Sequence, residues 1–145
     1  MGQPMQNPGS ITSSVNGDFN FRWHERLHRD REFQRAIKEG RRLVHPALFI
    51  FICPRNDKRM LRRLGLVTSR KVGTAVERNR VKRLLRELFR LNKHLLLPGI
   101  DMVFILRRGA VGLSLEKLSA ILFGLWQTAG ALSAKTAGTA EQDHL

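Results

Sequence analysis

The sequence predicts a small α/β (α+β) sandwich, its elements in the order α-β-β-α-β-α and its helices packed on one small sheet. Three observations predict it. Residues 47–53 (ALFIFIC) and 101–107 (DMVFILR) are apolar runs of strand length. Residues 77–93 carry a helical apolar repeat beside a row of cations. Residues 115–128 carry a second helical repeat with no such row.

Taken in order, Asp30 is placed to cap a helix over about 31–39, and Gly40 to end it. Phe33, Ala36 and Ile37 share one face of that helix, with Arg31, Arg35 and Lys38 on the other. The run 47–53 lies between Pro46 and Pro54, and its composition favours a strand. Phe49 and Phe51 then point to one face, and Leu48, Ile50 and Ile52 to the other. Residues 55–63 form a charged turn. Residues 64–69 (LGLVTS) form a second strand, expected antiparallel to the first because the link is short.

A Gly-containing loop, 70–76, leads to the helix over about 77–93, whose apolar stripe is Val81, Leu84, Leu85, Leu88 and Leu91. Arg78, Lys82, Arg86 and Arg90 recur at i+4 on a neighbouring face. Like charges at that spacing destabilise an isolated helix, which points to an anionic partner that neutralises them. Pro98-Gly99 breaks the chain before the strand 101–107, which is apolar on both faces and therefore central. Ser114 caps the last helix, with Leu115, Leu118, Ile121, Leu122, Leu125 and Trp126 facing the core. The folded domain is expected over 22–128. Residues 1–21 then form a flexible N-terminal extension and 129–145 a flexible C-terminal tail, both rich in small and polar residues.

The 145-residue chain carries 26 Lys+Arg against 12 Asp+Glu, a net charge of +14. Residues 61–93 hold most of the excess, with eleven basic side chains and only Glu77 and Glu87 as acids. A localised positive face suits a phosphate backbone. The lone Cys53 excludes a disulfide framework or a Cys-rich zinc site. No apolar run reaches the ~20 residues of a membrane span, and no secretory signal opens the sequence. A cytoplasmic location is expected.

Catalytic signals are sparse. His24, His28, His45, His94 and His144 form no ligand motif, and His24 and His28, though at i, i+4, lie in a basic segment better suited to surface or RNA contact. Metal-dependent nucleases need clustered carboxylates. Here only Glu77, Glu87 and Asp101 lie in or near the basic stretch, and Glu87 is placed to pair with Arg83 within the helix. Phe33, Phe49 and Phe51 can stack on unpaired bases. The same rings also fit a plain core, which periodicity alone favours.

Residues 65–87 resemble the signature of the bacterial ribonuclease P protein subunit family, G-x-x-x-S-(K/R)-K-x-G-x-A-V-x-R-N-R-x-K-R-x-x-R-E. Phe33-Gln34-Arg35 with Gly40, the segment from Pro98-Gly99 to Arg107, and residues 114–128 extend the likeness over about 26–128. The resemblance implies the protein subunit of an RNA-based endoribonuclease that removes the 5′ leader of precursor tRNA. The RNA subunit carries the chemistry and mainly holds the magnesium, with none bound by protein side chains alone. It implies a left-handed β-α-β crossover shared with a ribosomal protein domain, where general rules favour the right-handed form. Its partners would be the catalytic RNA and precursor tRNA, with neither membrane nor DNA. The RNA-binding residues carried over are Arg70, Lys71, Arg78, Asn79, Arg80, Lys82, Arg83, Arg86 and Arg90. Of these, Arg78, Arg80 and Arg83 are assigned mainly to the catalytic RNA. The implied leader cleft comprises Phe33, Ile37, Phe49, Phe51, Ser69, Asn79, Lys82 and Arg86. Phe51 lacks the hydroxyl that some relatives carry, so a hydroxyl-mediated contact there is lost. No catalytic residue is implied in the protein. Rival readings are a structural RNA-binding protein of ribosomal type, a protein-only nuclease, and a membrane-surface protein whose cationic helix lies on lipid.

Overall fold

The computed structural model describes residues 21–55 and 60–133. The expectations for residues 1–20 and 134–145, and for 56–59 of the charged turn, lie outside the described residues. Helix α1 (Asp30–Glu39) is followed by β1 (Arg41–Val44), β2 (Leu48–Pro54), β3 (Arg63–Val67), α2 (Ala75–Asn92), β4 (Ile100–Leu106) and α3 (Leu115–Ala129). Short 3-10 turns lie at Trp23–Glu25, Arg70–Val72, Lys93–Leu95 and Arg108–Ala110.

The cap of α1 differs from expectation. Asp30 is the first helical residue, and Arg29 is the capping position. Glu32 closes this end by accepting from the backbone N–H groups of His28 (2.9 Å) and Arg29 (3.1 Å). Gly40 ends the helix because no side chain fits there: a Cβ would fall 2.4 Å from the Ala36 carbonyl oxygen and 3.0 Å from that of Ile52.

The sheet has the order β1-β2-β4-β3. Strand β1 is an addition to the predicted set. Its four residues, Arg41–Val44, are too few and too charged to read as a strand, and they become one by antiparallel pairing with β2. The 64–69 strand runs antiparallel to the 47–53 strand, as expected, but the two are not hydrogen-bonded neighbours. Strand β4 lies between them, antiparallel to β2 and parallel to β3. A short link constrains the direction of the next strand but leaves room for a later strand to insert. Strand β4 is central, as its two apolar faces require.

Alternation along β2 sorts the core into two layers, as predicted. Leu48, Ile50 and Ile52 join Met102, Phe104 and Leu106 under α2 and α3. Phe51, Cys53 and Val103 pack under α1 with Ala36, edged by the half-buried Phe33, Ile37, Phe49, Val67 and Ile105. The buried stripe of α2 is Val81, Leu85, Leu88 and Phe89, so Phe89 replaces Leu91, which is exposed. Leu118, Leu122 and Trp126 of α3 are buried, while Leu115, expected in the core, lies at its exposed first turn. Order also continues beyond residue 128. Ala131 and Leu132 are buried, and the Leu97 N–H donates to the Ala131 carbonyl at 2.7 Å.

Two buried ionic groups fasten the layers. Asp101 of β4, 1 % exposed, accepts from Arg55 Nη1 (2.8 Å) and from Arg63 Nε and Nη2 (2.8 and 2.9 Å). Arg63 also reaches Glu32 of α1 at 3.1 Å. Lys93, beyond α2, donates to both Glu25 oxygens at 2.8 and 2.7 Å, joining the N-terminal segment to the helical layer.

Candidate nucleic-acid interface

Helix α2 starts at a capping box. The Glu77 N–H donates to Thr74 Oγ1 (3.1 Å), and the Thr74 N–H donates to Glu77 Oε1 (2.9 Å). Gly73 leaves room for that carboxylate, since a Cβ there would fall 2.6 Å from Glu77 Oε1. Arg78 Nη1 donates to the Gly73 carbonyl at 2.7 Å and so ties the loop to the helix. Ser69, Arg70 and Lys71 are exposed immediately ahead of this start.

Beyond it the cations divide by partner. Asn79, Arg80, Arg83 and Arg86 are exposed, and Lys82 is half-buried. Arg80 Nη1 donates to the Leu113 carbonyl at 3.1 Å, on the side of the loop before α3. Glu87 pairs with Arg90, not with Arg83 as the i, i+4 spacing suggested. Lys82, Arg83 and Arg86 have no ion pair among the described residues. The helix therefore presents a row of cations that the fold itself does not neutralise.

Arg86 is the link to the opposite layer. Because β3 is an edge strand, a side chain on α2 can reach past it. Arg86 lines a shallow cavity of about 160 Å³ with Phe21, Arg26, Phe33 and Gly65. Phe33 also belongs to the apolar cluster between α1 and the sheet, which Ile37 and Phe49 edge. The four apolar residues of the predicted leader cleft thus fall in one cluster, at different depths. Phe51 is only 8 % exposed and lies inside it. Phe33, Ile37 and Phe49 are half-buried and present apolar surface.

Periodicity could not find the cations around Phe49. The guanidinium of Arg42 lies 5.1 Å from the centre of its ring and that of Arg107 4.6 Å. Arg42 is the register partner of Phe51 and so a diagonal neighbour of Phe49 across β1 and β2. The only signal was the Arg41-Arg42 pair, which gains meaning once β1 exists.

The carboxylates of the basic stretch all have structural duties. Glu77 caps α2, Glu87 holds Arg90, and Asp101 is buried under Arg55 and Arg63. Among the described residues, no three His, Cys, Asp or Glu side chains gather to hold a metal ion. Burial raises the Glu32 carboxyl, but the His28 and Arg29 N–H groups and the Arg63 guanidinium outweigh it, leaving its pKa below the ordinary value. Burial pushes the Cys53 thiol up, away from reactivity. Among the described residues, no helix is long and apolar enough to cross a membrane.

The ribonuclease P family model matches residues 21–130, from before α1 to just past the end of α3. The chain belongs to the ribonuclease P protein family. Among its relatives is the ribonuclease P protein component of Dictyoglomus thermophilum, 36 % identical over 118 residues, covering 80 % of this chain and 97 % of that one. That of Herpetosiphon aurantiacus is 38 % identical over 105 residues, covering 72 % and 84 %. Solved structures agree on the fold. The Staphylococcus aureus RNase P protein superposes with a TM-score of 0.68 at 28 % identity, covering 75 % of this chain and 98 % of that one. The Thermotoga maritima RNase P protein does so with a TM-score of 0.61 at 32 % identity, covering 70 % and 94 %.

Proposed function

We propose that the chain binds the catalytic RNA of ribonuclease P through α2 and grips the single-stranded 5′ leader of precursor tRNA in the groove beside α1. The observation that supports this reading is that Arg86, on the unneutralised cationic helix, lines one cavity with Phe33, a half-buried aromatic at the edge of the α1 cluster. Arg80 and Arg83 contribute charge to a phosphate backbone, whose binding is dominated by such contacts. Arg70, Lys71, Arg78 and Arg90 extend that surface. On the leader side, Phe33, Ile37 and Phe49 offer apolar and stacking contact beside the buried Phe51. Ser69, Asn79, Lys82 and Arg86 engage the sugar-phosphate chain. Arg42 and Arg107 add guanidinium planes beside Phe49 on which bases also stack.

The hydrolytic step belongs to the RNA in this reading, and magnesium is held there. The protein's part is to raise affinity for substrate and metal by positioning the leader and screening phosphate repulsion. The test is cleavage of precursor tRNA at low magnesium by nucleic-acid-free protein, by catalytic RNA, and by both. Cleavage at the mature 5′ end only with both supports the reading. Cleavage by the protein alone would require a protein nuclease. No stimulation in any mixture would favour a structural RNA-binding protein of ribosomal type.

A further inference from the structure

The segment before α1 holds a second aromatic surface that the groove does not use. Trp23 is 72 % exposed, more than any other aromatic among the described residues. Its indole is stacked on the His28 ring, with centroids 4.0 Å apart and planes 19° from parallel. His28 Nε2 is 2.8 Å from the Trp23 carbonyl oxygen, so the backing ring is itself held in place. The pair borders a hollow of about 340 Å³ that Arg26, Arg29 and Arg31 also line, together with the Glu32 carboxylate, which Arg63 pairs at 3.1 Å. Arg26 borders the Phe33–Arg86 cavity as well, so the two hollows share that side chain.

An isolated exposed apolar side chain needs no explanation. This one is different in three respects. It is a flat π surface braced on one side by a second ring, arginines predominate in the hollow it borders, and Arg26 links that hollow to the cavity of Phe33 and Arg86. Aromatic rings on which bases stack, set in a basic groove that follows the backbone, are how single-stranded nucleic acid is held without sequence readout. We propose that Trp23, braced by His28, is a stacking platform for an unpaired RNA nucleotide, with Arg26 and Arg29 meeting its phosphates. The inference rests on the RNA-binding reading above and extends the site beyond the residues that reading assigns. The nucleotide is supplied either by a long leader or by an unpaired segment of the catalytic RNA.

The test uses the full chain with Trp23→Ala, Trp23→Phe and, as a groove control, Phe49→Ala. Binding is measured to three RNAs: the catalytic RNA alone, and holoenzyme binding to precursors with a short and with a long leader. Trp23→Ala should weaken one partner by about fivefold or more, the lower end of a lost base stack. Trp23→Phe should retain most of that affinity. Loss confined to the long leader assigns the nucleotide to the substrate, and loss confined to the catalytic RNA assigns it there. Fluorescence gives a second readout. The sequence has two tryptophans and no tyrosine, and Trp126 is fully buried, so quenching on RNA binding reports Trp23. Unchanged affinities and unquenched emission for Trp23→Ala and wild type respectively, with Phe49→Ala still impaired, would overturn the platform and leave the groove intact. Failure of the wild-type protein to bind any of the three RNAs would overturn both.

Discussion

The ring of Phe33 lies directly against the backbone of Gly65. A Cβ at residue 65 would fall 2.3 Å from Phe33 Cε1 and 2.7 Å from Cζ. The first glycine of the signature is therefore the space that an α1 side chain occupies on β3. Gly65→Ala should displace Phe33 from the groove, costing about 1–3 kcal/mol of stability as overpacking does. It should also weaken precursor binding. Adding Phe33→Ala should remove most of the stability penalty, and a double-mutant cycle that came out additive would disconnect the two residues.

The two phenylalanines of β2 should separate in their effects. Phe51 is buried, so Phe51→Ala is expected to cost about 3–5 kcal/mol in denaturant melts, as a large core truncation does. Phe49 is half-buried under two guanidinium groups, so Phe49→Ala should leave the melt nearly unchanged. Its expected loss is in affinity for precursor, with mature tRNA unaffected.

Charge on α2 should be read through salt. Arg83→Ala, and likewise Arg80→Ala, should lower the slope of log K against log salt for the catalytic RNA by about 0.7–0.9. Lys93→Ala should leave that slope alone, because its ammonium is buried against Glu25 and unavailable to phosphate. It should instead destabilise the fold by about 3–5 kcal/mol, leaving Glu25 unpaired.

Asp101 carries the larger structural risk. Asp101→Asn removes the charge that Arg55 and Arg63 share and leaves Arg63 only Glu32, and a loss of about 3–5 kcal/mol is expected. Arg35 approaches the same carboxylate only at 3.8 Å and is partly exposed, so Arg35→Ala should cost under about 1 kcal/mol. Equal losses from the two variants would contradict this division.

Acid should loosen α1 through Glu32. Its folded-state pKa is lowered from the ordinary value of 4.5, so the folded state binds this proton more weakly than the unfolded chain does. The associated stability is present above that ordinary value and is lost as pH falls through the folded one. Tm should therefore drop on acidification through this range, and Glu32→Gln should make the drop shallower.

Much of the molecule is written locally. The α1 face, the alternation of β2, the central position of β4 and the Ser114 cap all follow from spacing, because burial on one face imposes a period of 3.6 or 2. The α2 cations were legible for the same reason. Their division was not, since Arg83 and Arg90 are equally plausible partners for Glu87 until rotamers and neighbours choose.

The three helices, the strands β2, β3 and β4, the two apolar faces of β4 and the concentration of charge before and along α2 are all legible in the sequence. The tertiary structure alone decided that β4 enters between β2 and β3 and that Arg41–Val44 becomes a strand. From those pairings come the Phe33–Gly65 contact, the Arg63–Asp101 bond, the guanidinium groups around Phe49 and the reach of Arg86 past the β3 edge. The reason is physical. Periodicity reports which side of an element is buried, but backbone N–H and C=O groups are the same on every strand. Which strands pair is settled only when the whole chain competes for them.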